Sequence, residues 1–202
     1  DQVIELALKV VKFEEKSGNI ISIDHEYESF NDPNEPLDEK ITQITGITDE
    51  MVEGKSIDWS FVDDILKDTD FLVSHNASFD RPFVDQNSSV SPNLVWACSI
   101  DDIVWLQRGF TNTKQELLCY WHGFYFDAHR AMNDVDAMIH LLTHSHYDDD
   151  RPLTELIKNS KKQTYIIKVT NFPFDEIKKN TIKANGYNWN AMEKLWYKMV
   201  SL

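Results

Sequence analysis

Apolar side chains at the start of the chain follow the pattern of a β-hairpin. Residues 2–11 and 20–27 are rich in β-branched and large apolar residues, and Ser17-Gly18-Asn19 between them is typical of a turn. This pattern predicts two consecutive strands joined by that turn.

Helical and extended patterns alternate beyond the hairpin. Apolar positions three and four residues apart predict helices, whereas short apolar runs predict strands. The predicted elements are a short helix from Asp38, a helix over 61–66, a strand over 71–74, a helix that carries 79–84, a strand over 94–98, and helices over 113–122 and 131–144. Strands that alternate with helices favour an α/β core whose ligands lie beyond the strand ends.

The last fifth of the chain predicts a separate small module. Residues 163–170 and 195–200 have the composition of strands, and residues 174–184 between them have the pattern of a helix that begins after Pro173 and ends at Asn185-Gly186. The expected arrangement is β-α-β.

The sign of the charge changes between these two parts. Residues 1–157 carry 11 basic and 31 acidic side chains, whereas residues 158–202 carry nine lysines and three acidic residues. The change coincides with the Asp148-Asp149-Asp150 stretch, which is typical of a solvated loop. The sequence therefore predicts a first domain over 1–147, a linker over 148–160 and a small basic module over 161–202.

The overall composition excludes several classes of protein. The 202 residues have a formal net charge of −14 and are 42% apolar, which excludes a uniformly basic nucleic-acid-coating protein and a wholly disordered chain. Two cysteines, Cys98 and Cys119, cannot build a disulfide framework or a four-cysteine zinc site. Because no apolar run reaches about 18 residues, we expect a cytoplasmic protein with no membrane partner.

Three side chains could carry metal-dependent hydrolysis. Asp80 begins a predicted helix just beyond a predicted strand, and His129 and Asp134 lie at the start of the last long helix of the first domain. Carboxylates with a nearby histidine suit Mg²⁺ or Mn²⁺ and a water molecule that must be deprotonated. Taken alone, each aspartate could equally be there to stabilise a helix N-terminus, and His129 could be an ordinary surface residue.

Longer segments around these residues have a specific resemblance. In chain order they are a loop with Pro33 and Pro36, Thr45 to Thr48 (TGIT), His75 to Asp80 (HNASFD) and His129 to Ala137 (HRAMNDVDA). They resemble motifs of the DEDDh (DnaQ-like) 3′–5′ exonucleases, the group that includes the proofreading epsilon subunit of bacterial DNA polymerase III. The resemblance extends from residue 1 to about residue 146. It implies a ribonuclease H-like mixed sheet flanked by helices.

The resemblance also implies a role for individual residues. Asp80 and Asp134 match metal-binding carboxylates, and His129 matches the general base that activates the attacking water. The residues expected to contact the substrate or support its site are Gly46, Ile47, Thr48, Asn76 and Phe79. The implied cofactors are two divalent ions, Mg²⁺ or Mn²⁺. The implied partners are 3′ ends of single-stranded DNA, with a DNA polymerase or repair complex as a further candidate.

The first motif of this family, Asp-x-Glu on the first strand, is missing from the sequence. Asp24-His25-Glu26 has the right residue types on a predicted strand, but it lies directly before the Pro33 loop and so matches the third strand of the family. We interpret it as a pair of charges on a solvated strand face. We expect the parent protein to carry the motif on a strand before Asp1; the alternative is a relative that has lost it.

The sequence as a whole predicts a metal-dependent 3′–5′ exonuclease that hydrolyses phosphodiester bonds at the end of single-stranded DNA and releases mononucleotides. Two alternatives remain open: an RNA-trimming exoribonuclease and a catalytically inactive nucleic-acid-binding protein. The role of the basic module is also open. Its lysines and aromatic residues could bind single-stranded nucleic acid, or the aromatic residues could form its core.

Overall fold

The computed structural model describes residues 2–162, 164–173, 175–190 and 193–201. Its contacts divide the chain into two units, residues 1–160 and residues 161–202. No helix among these described residues is long and apolar enough to cross a membrane.

The first unit contains two pairs of strands. Strands β1 (Glu5–Phe13) and β2 (Ile20–Phe30) form the predicted hairpin, in which they run antiparallel with Glu5 opposite Phe30. Strands β3 (Phe71–Ser74) and β4 (Val95–Cys98) pair in parallel. Parallel strands need a crossover connection, which here contains a helix.

Seven helices accompany these strands in the described part of the first unit. They are α1 (Glu39–Thr45), α2 (Asp49–Val52), α3 (Trp59–Leu66), α4 (Ala77–Asn87), α5 (Gln115–Trp121), α6 (Ala131–Leu142) and α7 (Pro152–Ser160). Asp38 and Asp58 cap α1 and α3 by accepting hydrogen bonds from backbone N–H groups of the first turn. The predicted mixed α/β class is therefore confirmed.

Two apolar clusters hold the first unit together. In the larger one, side chains of α5, α6 and α7 surround Trp105, and Leu118, Leu141 and Leu156 are fully buried. In the smaller one, Val62 and Leu66 of α3 pack against partly buried residues that include several from β1 and β2. The hairpin is thus held against the helices by burial of its apolar face.

The prediction of a linker over 148–160 is wrong for most of that segment. Residues 152–160 form α7, and its side chains Leu153, Leu156 and Ile157 belong to the larger cluster. Glu155 fixes the same helix by accepting a hydrogen bond of 2.7 Å from Arg108 Nε. The acidic triplet corresponds only to a turn. The apolar residues after it have the spacing of an amphipathic helix, which is the structure that forms.

The second unit is a three-stranded antiparallel sheet with one helix. Strand β5 (Thr164–Val169), helix α8 (Glu176–Ala184), strand β6 (Asn188–Asn190) and strand β7 (Leu195–Ser201) follow in sequence, and the strand order is β5-β7-β6. The β-α-β prediction therefore lacked β6, which is only three residues long. The predicted first residues of β5 and α8, residues 163 and 174, lie outside the described residues.

We expect Leu156→Ala to lower the free energy of unfolding of the first unit by about 2–5 kcal/mol, because it leaves a cavity in the larger cluster. Lys158→Ala on the exposed face of the same helix is the control and should change it by less than about 0.5 kcal/mol. Urea unfolding followed by circular dichroism measures both. Equal effects of the two substitutions would show that α7 is not part of the core.

Candidate active site

Asp80 is positioned by a tight turn between β3 and α4. Asn76 adopts a left-handed conformation with φ of 72°, and its carbonyl accepts a hydrogen bond of 2.8 Å from Phe79 N–H. Asn is among the residues that tolerate this conformation best. His75 anchors the turn through a 2.7 Å contact of Nδ1 with Ser99 Oγ. The strand therefore ends and the helix begins within two residues, which places Asp80 in the first turn of α4.

The Asp80 side chain is partly buried, and this burial changes the pKa of its carboxyl. Removal from water raises the pKa of its carboxyl above the ordinary value, and the nearby Ser74 hydroxyl only partly opposes this. Burial disfavours the charged form because the carboxylate loses its hydration. A cation beside Asp80 would reverse the effect.

Asp134 and His129 lie together where α6 begins. The backbone N–H of His129 interacts with the Asp134 carboxylate, and Asp134 N–H donates a 3.0 Å hydrogen bond to the carbonyl of Arg130. Burial raises the pKa of Asp134 to about 6; the proximity of His129 opposes this shift, and Glu116 and Glu5 add to it. His129 itself has φ of 70° and an exposed side chain. Its imidazole is therefore accessible from solvent.

Glu5 is a residue of this region that sequence reasoning missed. Its Oε1 accepts hydrogen bonds of 3.0 and 2.9 Å from Nε and Nη2 of Arg130, and its Oε2 accepts one of 2.8 Å from Ala131 N–H. The Glu5 side chain is only 5% exposed. It ties β1 to the first residues of α6 and so fixes the backbone between His129 and Asp134. A charged residue inside an apolar strand was the available signal.

The expected substrate-contacting residues differ in exposure. Gly46 ends α1 with φ of 71° and has no neighbouring atom within 4 Å of the place where a Cβ would be. Ile47 is 1% exposed, so its side chain packs in the interior, whereas Thr48 is partly exposed before α2. Phe79 is 63% exposed and lies beside Phe83 at a centroid distance of 5.5 Å. Phe79, Gly46 and Asn76 are therefore the more open members of the set.

The residues expected to bind metal have suitable donor atoms, but they do not form a recognisable metal site. Asp80 and Asp134 offer carboxylate oxygens, which Mg²⁺ takes one or two at a time in proteins. No group of three or more His, Cys, Asp or Glu side chains in the described ranges is arranged to hold a metal ion. The structure thus brings His129 to Asp134 but does not gather both with Asp80 into one such group.

The Asp24-His25-Glu26 segment is a solvated strand face, as expected. Both carboxylates are on exposed residues of β2 and pair with lysines of β1: Asp24 with Lys12 at 2.5 Å and Glu26 with Lys9 at 3.2 Å. Because both carboxylates already form ion pairs with lysine ammonium groups, they are poor substitutes for the metal-binding carboxylates of the missing Asp-x-Glu motif.

Comparison with known proteins identifies the class. A family model described as an exonuclease (RNase_T) matches residues 1–142. The chain therefore belongs to this exonuclease family, and the resemblance found in its motifs is confirmed. The expectation of a hydrolytic nuclease is confirmed at the level of the family.

Individual relatives are much longer than this chain. The PolC-type DNA polymerase III of Bacillus subtilis (strain 168) is 33% identical over 154 residues, and that of Halalkalibacterium halodurans is 38% identical over 156 residues. Each match covers 70% of this chain and 10% of the relative. The chain thus spans about a tenth of the length of these relatives.

Among solved structures, exonuclease X in complex with 5′-overhanging duplex DNA is similar to this chain. The sequence identity is 18%, the match covers 75% of this chain and 90% of that chain, and the TM-score is 0.46. This likeness assigns no role to any residue of the chain.

Asp134→Asn should stabilise the fold at neutral and alkaline pH. The folded carboxyl has a pKa of about 6, whereas an unfolded Asp titrates near ~3.9, so the folded protein binds more protons between these values and loses stability as pH rises through them. We expect the variant to be more stable than the wild type by about 1–3 kcal/mol at pH 8 and by little at pH 4.

Urea unfolding with EDTA, repeated from pH 4 to pH 8, measures this difference. Asp127→Asn on an exposed residue is the control. A gain that stays constant over this pH range would contradict burial of the Asp134 charge as its cause.

Glu5→Ala should destabilise the first unit by about 2 kcal/mol, because it removes charge-assisted hydrogen bonds and leaves the first N–H group of α6 without its partner. Glu5→Gln retains an acceptor for that N–H group and should cost less. Glu35→Ala, on an exposed loop residue, is the control. Chemical denaturation compares the three variants, and equal stability of the Ala variant and the wild type would refute the tie between β1 and α6.

Proposed function

We propose that this chain is the catalytic part of a 3′–5′ exonuclease that releases mononucleotides from single-stranded DNA. The observation that carries the proposal is the proximity of an exposed histidine, His129, to a half-buried carboxylate, Asp134, at the start of one helix in an exonuclease-family domain. A general base must be accessible to water, and the exposed side chain of His129 supports this role.

Each residue has one task in this proposal. Asp80 and Asp134 would hold divalent ions, Mg²⁺ or Mn²⁺, and such ions supply Lewis-acid polarisation of the scissile phosphate when bound. His129 accepts the proton of the attacking water. Asp134 must be ionised to hold a cation, so cation binding competes with the proton that burial favours on this carboxyl.

The substrate side of the proposal depends on the open residues. Phe79 presents an exposed ring one residue before Asp80, where a terminal base can stack on it. Gly46 leaves room for close approach of a nucleotide to the backbone. DNA is favoured over RNA because the relatives with the matching segment are DNA polymerases by name.

We further propose that the protein works in the cytoplasm with a DNA polymerase or repair complex. Its two cysteines are free and buried, as expected for a reducing compartment. A catalytically inactive nucleic-acid-binding protein is the second candidate, since the described residues provide fewer than three grouped metal ligands.

The intact protein with Mn²⁺ should shorten 5′-labelled single-stranded DNA into a ladder of products one nucleotide apart. His129→Ala should slow this by about 10²–10⁴-fold, and Asp80→Asn and Asp134→Asn should abolish it. Asp24→Asn is the matched control and should leave the rate unchanged, because Asp24 pairs with Lys12 on the solvated hairpin.

Matched RNA and DNA oligonucleotides separate the remaining candidates. Cleavage of RNA alone would replace this proposal with RNA trimming. Binding that weakens with salt but is never followed by cleavage would establish the inactive protein.

A further inference from the structure

The second unit has a cleft that the proposed exonuclease reaction does not use. The cleft has a volume of about 580 Å³ and lies between the end of β5, one side of α8, and strands β6 and β7. The residues of its wall that matter here are Phe172, Lys179, Lys183, Trp189, Lys194 and Trp196.

The two tryptophans of the cleft differ in their exposure to solvent. Trp196 is 5% exposed and is in contact with Trp189 at a centroid distance of 5.4 Å and with Phe172 at 6.1 Å. Trp189 is 49% exposed. One indole is therefore fixed in the interior and holds a second indole that remains open to solvent. Such an open ring is the stacking surface that proteins offer to unpaired bases.

The acidic residues of the cleft are already satisfied. Asp175 caps α8, Glu176 pairs with Lys179 at 3.7 Å, and Glu193 pairs with Lys168 at 2.6 Å. In the described part of the unit, neither Lys183 nor Lys194 has an ion-pair partner. The cleft thus presents two lysines without an ion-pair partner next to an exposed indole, and the Asp175 carboxylate at the start of α8 offsets one of these charges.

The second unit as a whole is also positively charged. Residues 161–202 contain eight lysines and three acidic residues, in a chain whose formal net charge is −14. A polyanion is therefore attracted to this unit more than to the rest of the chain. An acidic peptide would use the lysines but would leave the open indole unused, whereas a single-stranded nucleic acid uses both.

We propose that this cleft is a second binding site for single-stranded nucleic acid, in which a base stacks on Trp189 and the phosphates on either side pair with Lys183 and Lys194. The choice of a nucleic acid rests on the proposed function; the cleft itself does not depend on catalysis. A second contact of this kind raises the effective concentration of the strand near the same chain.

Binding can be measured apart from cleavage. The probe is a 5′-fluorescein oligothymidylate, and fluorescence anisotropy is read in EDTA with the intact protein carrying Asp134→Asn. We expect Trp189→Ala to weaken binding by about 5- to 150-fold and Trp189→Phe to recover part of the loss. Tyr165→Ala, which removes another exposed aromatic ring of the unit from outside the cleft, is the matched control and should bind as the parent does.

The contribution of the lysines is tested by measuring how the affinity depends on salt concentration. Lys183→Ala with Lys194→Ala should reduce the slope of log Kd against log salt by about 1.4, since each phosphate contact contributes about 0.7 for a single strand. Lys178→Ala, on the same helix but outside this cleft, should reduce it by less. An abasic oligonucleotide should bind the parent and the Trp189→Ala variant equally, because it has no base to stack.

Unchanged affinity of Trp189→Ala, with the double lysine variant also unchanged, would overturn the proposal. A loss in Trp189→Ala without recovery in Trp189→Phe, together with a lower melting temperature of both, would assign Trp189 to the fold and overturn it too. A protein that binds as expected but never cleaves DNA refutes the proposed exonuclease activity and leaves this site standing.

Discussion

The hydrogen bonds of the Glu5 carboxylate hold the candidate active site to the rest of the fold. Arg130, the residue before α6, makes no side-chain cap for that helix. Glu5 supplies the cap instead, from a strand that lies 126 residues earlier than Ala131 in the chain. A negative charge at the N-terminus of α6 also interacts favourably with the helix dipole. The turn that carries His129 is therefore fixed by a tertiary contact rather than by its local sequence.

The same region of the fold makes the ionised form of the Asp134 carboxyl unfavourable. Its carboxylate is buried near Glu5 and Glu116, and only His129 offsets the effect. The fold loses stability by keeping this charge where it is. Groups under such strain are typical of functional sites, where stability is given up for chemistry. A cation beside Asp134 would reduce this penalty.

The sequence was sufficient where the signal was local. The hairpin, most of the helices of the first unit and the placement of Asp80 and Asp134 in first helical turns followed from periodicity and motif, whereas the short helix α2 was not predicted. The role of Glu5 could not be predicted, because its partners become neighbours only after folding. Helix α7 was missed because the acidic stretch before it outweighed three apolar residues, and β6 was missed because it is too short to show a pattern.

The second unit shows why composition could not choose between a core and a binding surface. The sequence left open whether its aromatic residues were buried or exposed. In the sheet, Trp189 of β6 lies directly opposite Trp196 of β7. Directly opposite residues point to the same face, so the indole nearer the interior is covered by the other. Trp196 therefore belongs to the core of the unit, whereas Trp189 remains open to solvent. An acidic chain can in this way gather eight lysines and an exposed indole in residues 161–202 while its larger unit stays anionic.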